Sequence, residues 1–356
     1  MKIGLVTVYY CNYGSYFQAL ALKKVLDNLG YECDVINATI RGRHIIKFVL
    51  GEIGHKIFPK KMNEYIASKN SAFRVYLSLV NHFDELNITP PYFNIHRISK
   101  KYDCIVIGSD ELWSASLDEM KYIPAYWGIH IHCPHIAYAT SAASLDIKAK
   151  LPWNQMTHGL KSFAALSGRD EKTCNIIQSL TKKACPRCID PVLLNPYFID
   201  RNVNLEPYLL VYGVEFAKDE IKKIKQYARK NNLIIRGIAW KHEWFDEFYN
   251  LSSPQDFLNQ FAKAQYCVVS TFHGTVFSIL HHKNFAAFLA GTKATKVKDL
   301  LKLLEIDSRI VTSEIDLFTL KELDYDKVES RLEELRTHSL TYLQNTLQTI
   351  ETQRTH

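Results

Sequence analysis

One histidine stands where an apolar run meets small polar residues, in the segment Ser270-Thr271-Phe272-His273-Gly274-Thr275. The run predicts a strand and the residues after it predict a helix, so His273 would lie beside the first turn of that helix. Backbone N–H groups and the positive end of the helix dipole attract anions to such a turn. Gly274 would let a phosphate or carboxylate approach the backbone, and Thr275 would add a hydroxyl donor. The segment therefore indicates an anion site with a titratable side chain, or a histidine that only caps a helix.

A pair of carboxylates follows a second apolar run, in Gly108-Ser109-Asp110-Glu111-Leu112-Trp113. Asp110, with Glu111 beside it, could bind a sugar hydroxyl or act as a general base. Trp113 could stack on a sugar ring. The alternative is an aspartate that caps a helix, followed by a tryptophan in the core.

Two further candidates also lie where strands are predicted to end. Arg169, in Ser167-Gly168-Arg169-Asp170-Glu171, could bind a carboxylate or phosphate through two parallel hydrogen bonds. The alternative for this arginine is an exposed salt bridge at the start of a helix. Asn12 and Gly14 lie in the first strand-to-helix turn, where loops that contain glycine often admit ligands. That turn lacks the GxGxxG pattern of dinucleotide sites, so by itself it indicates only a turn.

The cysteines do not form a pattern that is specific for a metal. Cys185 and Cys188 have the spacing of a metal or redox pair, but zinc would need two further ligands, for which Cys174 is the nearest candidate. We interpret the thiols as structural or incidental, and we expect no metal and no cofactor. Because the eight cysteines are too sparse for a disulfide framework, they favour a reducing compartment, which predicts the cytoplasm. The sequence also lacks HExxH, Walker A, GxSxG and EF-hand patterns, which disfavours the enzymes and switches that use them.

The composition is that of a globular protein large enough for two domains, with 356 residues, 47% of them hydrophobic and 23% charged. The formal net charge of +7 favours anionic small molecules or an anionic membrane face. This charge is not concentrated in basic runs, so we expect no nucleic-acid partner. The apolar stretch 44–58 is interrupted by charged residues and is too short to span a bilayer. It remains a candidate for peripheral contact with the inner face of the membrane.

The elements that must position these residues follow a βαβ pattern, which is typical of buried parallel sheets. The proline-containing segment 195–207 predicts a linker to a second βα series. The aromatic cluster in 240–249 favours core packing over a sugar or lipid site. We predict an N-terminal domain over 1–195, a second over 196–324, and an amphipathic helix over 325–356 with the first domain as its candidate packing partner. Two such sheets that face each other bind ligands beyond the carboxyl ends of their strands. The predicted strands are 2–9, 33–37, 103–108, 135–140, 163–168, 208–214, 233–239, 266–270 and 285–289.

The order of the motifs along the chain is more specific than any motif alone. They are Asn12-Tyr13-Gly14 with Gln18-Ala19 and Leu22, Ile107-Gly108-Ser109-Asp110-Glu111-Leu112-Trp113, Tyr138-Ala139-Thr140-Ser141, Ser167-Gly168-Arg169-Asp170-Glu171, Asp190-Pro191-Val192-Leu193-Leu194 and Phe272-His273-Gly274. In this order the set resembles the polysaccharide pyruvyl transferase family, over about residues 1 to 310. The resemblance implies an α/β fold like that of GT-B glycosyltransferases, with two Rossmann-like domains facing a cleft. The acceptor would bind to the N-terminal domain and the donor to the C-terminal domain.

The reaction that the resemblance implies moves a pyruvyl group from phosphoenolpyruvate, the co-substrate, to a sugar. The acceptor would be a nucleotide- or lipid-linked precursor of a cell-surface polysaccharide such as a capsule or exopolysaccharide, and the products a cyclic ketal and phosphate. Protonating the methylene carbon of phosphoenolpyruvate needs a general acid near an anion clamp. By resemblance, His273 is this acid and contacts the phosphate, and Arg169 binds the carboxylate or phosphate of the donor. Gly274 and Thr275 would assist donor binding, with Lys293, or in its place Lys296, as a further donor-binding residue.

By the same resemblance, Asp110 orients or deprotonates the acceptor. The residues expected to bind the acceptor with it are Asn12, Gly14, Glu111 and Trp113.

One position departs from the family pattern. Many members have an arginine two residues before the histidine, where this chain has Thr271. Either Lys293, Lys296 or His281 supplies that positive charge, or the donor binds differently. Two other functions therefore stay open. The fold also suits a glycosyltransferase that uses sugar nucleotides, and the missing arginine suits a catalytically silent relative that binds a partner in glycan assembly.

Overall fold

The computed structural model describes residues 1–37, 71–89, 95–114, 123–289, 294–312 and 317–355, apart from the side chains of 71–73 and 355. Within these ranges the chain forms two compact units. Unit 1 consists of described residues up to 195, except 71–80, and of 334–355; unit 2 consists of 71–80 and the described residues from 196 to 333. The stretch 44–58, a candidate for membrane contact, and Lys293 lie outside the described residues.

Both units are built from parallel strands connected by helices. The helices are α1 (Tyr13–Asn28), α2 (Ser71–Val80), α3 (Ile95–Ser99), α4 (Trp153–Ser162), α5 (Glu171–Thr181), α6 (Pro191–Leu194), α7 (Lys218–Lys230), α8 (Pro254–Lys263), α9 (Phe272–Leu280), α10 (Ala294–Leu303) and α11 (Tyr325–Thr355). The strands are β1 (Lys2–Val6), β2 (Glu32–Ile36), β3 (Cys104–Ile107), β4 (His135–Ala137), β5 (Glu206–Tyr212), β6 (Ile234–Ile238), β7 (Glu247–Tyr249), β8 (Ala264–Val269), β9 (Phe285–Phe288) and β10 (Ile310–Val311).

The sheet of unit 1 has the strand order β2-β1-β3-β4, and each pairing is parallel. All four residues of β3 are buried, so side chains on both faces of this strand lie in the core. An apolar run without alternation is what a parallel strand covered by helices on both faces requires. The uninterrupted run therefore explains why the chain forms a central strand here.

The prediction of a regular strand over 163–168 is wrong. This segment lies beside β4, but it pairs through isolated bridges such as Ile136 with Ala165. The hydroxyl of Ser167 accepts a hydrogen bond from the N–H of Ala139 and donates one to the carbonyl of Ala137, both over 3.0 Å. The hydroxyl of Ser167 thus makes hydrogen bonds that the backbone would make in a regular strand.

The last helix, α11, belongs to both units, since residues up to 333 group with unit 2 and residues from 334 with unit 1. Within unit 1, the hydroxyl of Ser339 accepts a hydrogen bond of 3.0 Å from the N–H of Ile189. The hydroxyl of Tyr342 donates to the carbonyl of Ala137 over 2.9 Å. Leu343 is fully buried, so this end of the helix completes the packing of unit 1.

The sheet of unit 2 has the order β10-β9-β8-β5-β6-β7, again with parallel pairings. The outer strands β7 and β10 are not among the predicted strands. β10 has two residues, and β7 lies within the cluster of aromatic residues that predicts packing rather than a strand. A β-carbon on Gly237 would lie 1.8 Å from Cε2 of Phe245, so a glycine in β6 is needed for that aromatic ring to pack.

The fold is thus α/β, with two parallel sheets flanked by helices in two Rossmann-like units, as predicted. In the part of the chain that is described, no helix combines the length and apolar character needed to cross a membrane.

Candidate functional site

His273 lies in the first turn of α9, directly after β8, where the sequence pattern places it. β8 ends at Val269, and α9 begins at Phe272 with Thr271 as its N-cap. The hydroxyl oxygen of Thr271 accepts a hydrogen bond of 3.0 Å from the N–H of Gly274. This bond satisfies one of the N–H groups that the first turn of a helix leaves without a carbonyl partner. His273 is the second residue of the helix and is 8% exposed, so its ring lies near the positive end of the dipole.

Gly274 and Thr275 have structural roles in the packing and capping of α9, and their predicted roles in donor binding stay predictions. A β-carbon on Gly274 would lie 2.9 Å from Cδ1 of Tyr212 and 3.0 Å from Cβ of Val269. The glycine therefore lets the helix pack closely on β5 and β8. Thr275 is fully buried, and its hydroxyl donates to the carbonyl of Thr271 over 3.1 Å. The N–H of Gly274 and the hydroxyl of Thr275 are both used inside the helix.

The structure disfavours one of the three residues that could replace the positive charge of the missing arginine. Burial, and then the charge of Lys283, lower the pKa of His281 to about 3. His281 is therefore uncharged at neutral pH, which corrects the hypothesis that it supplies a positive charge. Lys296 lies on α10 with a largely buried side chain, and Lys293 is outside the described residues.

In unit 1, the segments that follow the strands run side by side at the carboxyl edge of the sheet. Parallel bridges join Asp110 to Thr140, Thr140 to Gly168, and Gly168 to Arg187. The N–H of Arg169 donates to the carbonyl of Thr140 over 3.1 Å. Because parallel strands end at the same edge, two candidates that are far apart in sequence, Asp110 and Arg169, become neighbours.

Arg169 is buried in an ion pair and is not exposed at a helix start. Its Nη1 lies 2.7 Å from Oδ2 of Asp190, and its Nη2 lies 3.9 Å from Oδ1 of Asp110. Burial lowers the pKa of Arg169, but the carboxylates of Asp190 and Asp110 outweigh burial and raise the pKa above its ordinary value. The guanidinium, with a side chain 3% exposed, binds carboxylates of the protein itself. Its predicted contact with the carboxylate or phosphate of the donor stays a prediction.

Asp190 is the partner that the sequence interpretation left without a role. Its side chain is fully buried, and Oδ1 accepts a hydrogen bond of 3.0 Å from the N–H of Val192 at the start of α6. The pair Asp190-Pro191 is a signal for an N-cap followed by proline in the first turn of a helix. That signal predicts the cap, but it does not reveal the arginine on the other carboxylate oxygen.

Asp110 keeps a partly exposed carboxylate, with 19% of its side chain accessible. Its φ of 80° lies in the left-handed region, which is unusual for a residue other than glycine. The carbonyl of Asp110 accepts hydrogen bonds of 2.9 Å from the N–H groups of Leu112 and Ser141. Its Oδ1 accepts one of 2.8 Å from the N–H of Glu111. The neighbouring backbone thus holds Asp110 in a strained conformation with its carboxylate at the strand end.

Trp113 belongs to the core, which corrects its predicted stacking on a sugar ring. The side chain is fully buried, and its indole N–H donates to the carbonyl of Tyr126 over 2.7 Å. Its ring centroid lies 6.2 Å from that of Trp127. A ring stacks on a sugar only when one of its faces is exposed, and Trp113 exposes neither face.

The other residues predicted to bind the acceptor sugar make hydrogen bonds with nearby residues or lie within a helix. Glu111 is half-buried, and its Oε1 accepts hydrogen bonds of 2.9 Å from the N–H of Ser144 and the hydroxyl of Ser114. Asn12 is the N-cap of α1, where its Oδ1 accepts from the N–H of Ser15 over 3.0 Å. Gly14 is the second residue of that helix and is buried, so it lies just after the turn in which the sequence pattern places it.

The cysteines are free thiols, and Cys188 is buried. Among the described side chains, no group of three or more histidine, cysteine, aspartate or glutamate residues is arranged to hold a metal ion.

The sequence pattern of the family described as polysaccharide pyruvyl transferase matches residues 12–290. The chain belongs to this family. The match includes Asp110, Arg169, Asp190 and His273 and ends before Lys293, which leaves that lysine as a prediction. The protein is accordingly a transferase of polysaccharide biosynthesis.

Several solved structures are similar in fold to this family member. The UDP-GlcNAc 2-epimerase from Neisseria meningitidis bound to UDP-GlcNAc is 10% identical, with 96% of this chain and 100% of that chain covered at a TM-score of 0.43. For the Escherichia coli heptosyltransferase WaaC with ADP, the identity is 11%, the coverage 94% and 100%, and the TM-score 0.41. The Staphylococcus aureus MnaA–UDP structure is 13% identical over 92% and 94%, with a TM-score of 0.46. No curated protein matches the chain in sequence. Function is therefore inferred from the family match.

Proposed function

We propose that the protein transfers the pyruvyl group of phosphoenolpyruvate to a sugar of a cell-surface polysaccharide precursor, such as that of a capsule or exopolysaccharide. The observation that carries this proposal is the family match over residues 12–290, which contains His273 and Asp110. The product is a cyclic ketal. Two sugar hydroxyls bond to C2 of the pyruvyl group and lose their protons, the methylene carbon gains one proton, and phosphate leaves with the other.

His273 is the proposed general acid for the methylene carbon. Protonation there leaves positive charge at C2, which a sugar hydroxyl can attack. The first turn of α9 supports this role, because its dipole favours the negative charge of a bound phosphate. The low exposure of His273 also limits competing proton transfer from bulk water.

Asp110 is the proposed residue that orients or deprotonates the acceptor hydroxyl. Its carboxylate is partly exposed, whereas the guanidinium of Arg169 is almost fully buried. We therefore propose that Arg169 is a positioning residue that holds the carboxylates of Asp110 and Asp190. The guanidinium of Arg169, with Nη2 3.9 Å from Oδ1 of Asp110, attracts that carboxylate and helps to hold it in place.

The proposed acceptor is linked to a nucleotide or to a lipid, and the proposed location is the cytoplasm, with peripheral contact at the membrane when the acceptor is a lipid. The positive net charge of +7 supports attraction of anionic substrates and of an anionic membrane face.

The full chain should release phosphate from phosphoenolpyruvate only in the presence of an acceptor sugar, and the sugar should gain the mass of a pyruvyl ketal. We expect His273→Asn to reduce this rate by about 10²–10⁴-fold, as expected for loss of a general acid. His282→Asn is the matched control, because His282 lies beyond the end of the same helix and pairs with Glu329. A broad panel of nucleotide- and lipid-linked sugars that yields no pyruvyl product would contradict the proposal.

Asp110→Asn tests the acceptor role separately. Asparagine tolerates the left-handed backbone and keeps an oxygen for the N–H of Glu111, but it removes the negative charge. We expect kcat to fall while phosphoenolpyruvate still raises the melting temperature, since a ligand of the folded state stabilises it. The exposed Asp146→Asn is the control. Transfer of a sugar from a nucleotide sugar, without a response to phosphoenolpyruvate, would favour a glycosyltransferase instead.

A further inference from the structure

The thiols of Cys174 and Cys185 lie together in unit 1, although they belong to different segments. Cys174 lies in α5, near its start, and Cys185 follows the helix. The parallel bridge of Gly168 to Arg187 places the side chain of Cys185, two residues earlier, on the face of the segment where Sγ of Cys174 lies, and both cysteines are half-buried. The arrangement thus brings together two cysteines outside the Cys185-to-Cys188 spacing that the sequence singles out.

The backbone of Gly168 explains why the two thiols meet. Its N–H donates to the carbonyl of Pro186 over 3.1 Å, next to Cys185 in the chain. A β-carbon on Gly168 would lie 2.9 Å from Sγ of Cys174, so the thiol occupies the space that a side chain at position 168 would need. The same glycine therefore contacts the helix that carries one thiol and the loop that carries the other.

The surroundings favour the thiolate of Cys174. The hydrogen bond from Cys185 lowers the pKa of Cys174 most, burial opposes this change, and the charge of Arg187 lowers the pKa further. As the donor in this bond, Cys185 has a raised pKa. Burial raises the pKa of the third thiol, Cys188, to about 12. A partly exposed thiolate near positive charge is the reactive form of cysteine, whereas a buried thiol is inert.

We propose that Cys174 and Cys185 form a reversible disulfide by exchange with a low-molecular-weight disulfide such as oxidised glutathione. The sulfur of Cys174 attacks the small disulfide, forms a mixed disulfide and releases one small thiolate. The sulfur of Cys185 then loses its proton, attacks the sulfur of Cys174 and releases the second thiolate. The protons of the two protein thiols end on the two small thiols, so two protein thiols are oxidised and one small disulfide is reduced.

The test is to incubate the full chain with oxidised glutathione, block the remaining thiols with an alkylating reagent, and identify linked tryptic peptides by mass spectrometry. Trypsin cleaves after Lys172, Lys183 and Arg187, which places Cys174, Cys185 and Cys188 on three separate peptides. The expected product links the peptides of Cys174 and Cys185 and disappears after reduction. A link between Cys185 and Cys188, or a stable glutathione adduct on Cys174 without the link, would overturn the proposal.

Matched single variants sharpen the result. Cys188→Ser should leave the amount of linked peptide unchanged, because this thiol is buried and takes no part in the exchange. Cys174→Ser should reduce the oxidant-dependent loss of the Cys185 thiol at least tenfold, whereas Cys185→Ser should trap a glutathione adduct on Cys174 and abolish the link. If Cys188→Ser abolishes the link while circular dichroism shows a folded protein, the assignment of the pair is wrong.

Discussion

Arg169 and Asp190 carry opposite charges in the interior of unit 1, where neither can be solvated by water. Their ion pair spans 2.7 Å, and both side chains are almost fully buried. Removing one member of such a pair is costly, because the other charge stays buried, whereas replacing both with apolar groups is often nearly neutral.

We expect Asp190→Ala to lower the free energy of unfolding of unit 1 by about 3–5 kcal/mol. Hydrogen exchange of the amides in β3 and β4 measures this loss. The double variant Arg169→Met with Asp190→Ala is the control and should recover most of the loss, since it leaves no buried cation. An equal loss in the single and double variants would show that Asp190 acts only through its cap of α6.

His281 provides a prediction about pH, because burial lowers its pKa from 6.5 in the unfolded chain to about 3 in the folded protein. Between these values the unfolded chain binds a proton that the folded protein excludes. The stabilising contribution is therefore complete above the unfolded pKa and is lost as the pH falls, by up to about 1.4 kcal/mol per pH unit.

We expect His281→Gln to reduce the dependence of unit 2 stability on pH between about pH 6 and pH 4. The measurement is the change with pH in the opening free energy of β8 amides, obtained from hydrogen exchange. His158→Gln, an exposed position in unit 1, is the control and should leave the dependence in unit 2 unchanged. The same slope in wild type and His281→Gln would contradict the assignment.

At the residue scale, the sequence predicts where a side chain stands in the chain but not what surrounds it. His273 is found at the strand-to-helix junction because the apolar run and the Thr271 cap are both local signals. Trp113 follows a strand in the same way, yet it is buried among residues such as Trp127. The burial of Trp113 depends on contacts between distant segments, which no local pattern contains.

At the scale of elements, glycines show where helices pack closely. In α9, a β-carbon on Gly274 would meet side-chain atoms at 2.9 Å, and these side chains can shift. In α4, a β-carbon on Gly159 would lie 2.1 Å from the carbonyl oxygen of Trp127, which is backbone.

Alanine in a helix is normally favoured over glycine by about 1 kcal/mol, so any loss on substitution reports packing. We expect Gly274→Ala to lower the free energy of unfolding of unit 2 by about 1–2 kcal/mol, within the range for overpacked cores. Gly159→Ala should cost more in unit 1, about 3 kcal/mol, because the backbone of Trp127 must move. Hydrogen exchange of each unit measures both changes. A larger cost at Gly274 than at Gly159 would contradict the packing argument.

The elements differ in how well the sequence predicts them. α9 begins as predicted because its N-cap, Thr271, is a local signal. The segment 163–168 forms isolated bridges because the hydroxyl of Ser167 competes for backbone groups of its neighbour. The side chain responsible is visible in the sequence, but the neighbour that it bonds is not.

At the scale of the whole molecule, unit 1 depends on a segment from the far end of the chain. Leu343, Leu347 and Ile350 of α11 are buried, and each contributes roughly 1.5–3 kcal/mol if fully buried on folding. The sum is comparable with the total stability of a typical domain.

We expect a chain that ends at Glu333 to lose protection of the β1, β3 and β4 amides against hydrogen exchange, while the β8 amides stay protected. A chain that ends at Ile350 is the control. It lacks surface contacts such as the ion pairs of Glu351 and Arg354 with Met1 and Asp103, and such pairs are worth about 0–1 kcal/mol. Retained protection of β1, β3 and β4 in the shorter chain would contradict this dependence.

The grouping of 71–80 with unit 2 could not be predicted from the sequence, because it depends on contacts across more than a hundred residues. The division after residue 195 is different, since a local change to proline and polar residues marks that position.

The shared helix α11 also determines the order in which the protein can fold during synthesis. The ribosome makes the sheet of unit 1 before most of unit 2, but it makes residues 334–355 after both sheets. All described residues of unit 2 are therefore synthesised before unit 1 is complete. Until residues 334–355 are made, the apolar surface of unit 1 that they cover is exposed. The part of the chain that is made first is thus the last to be completed, and during this interval it depends most on protection from aggregation.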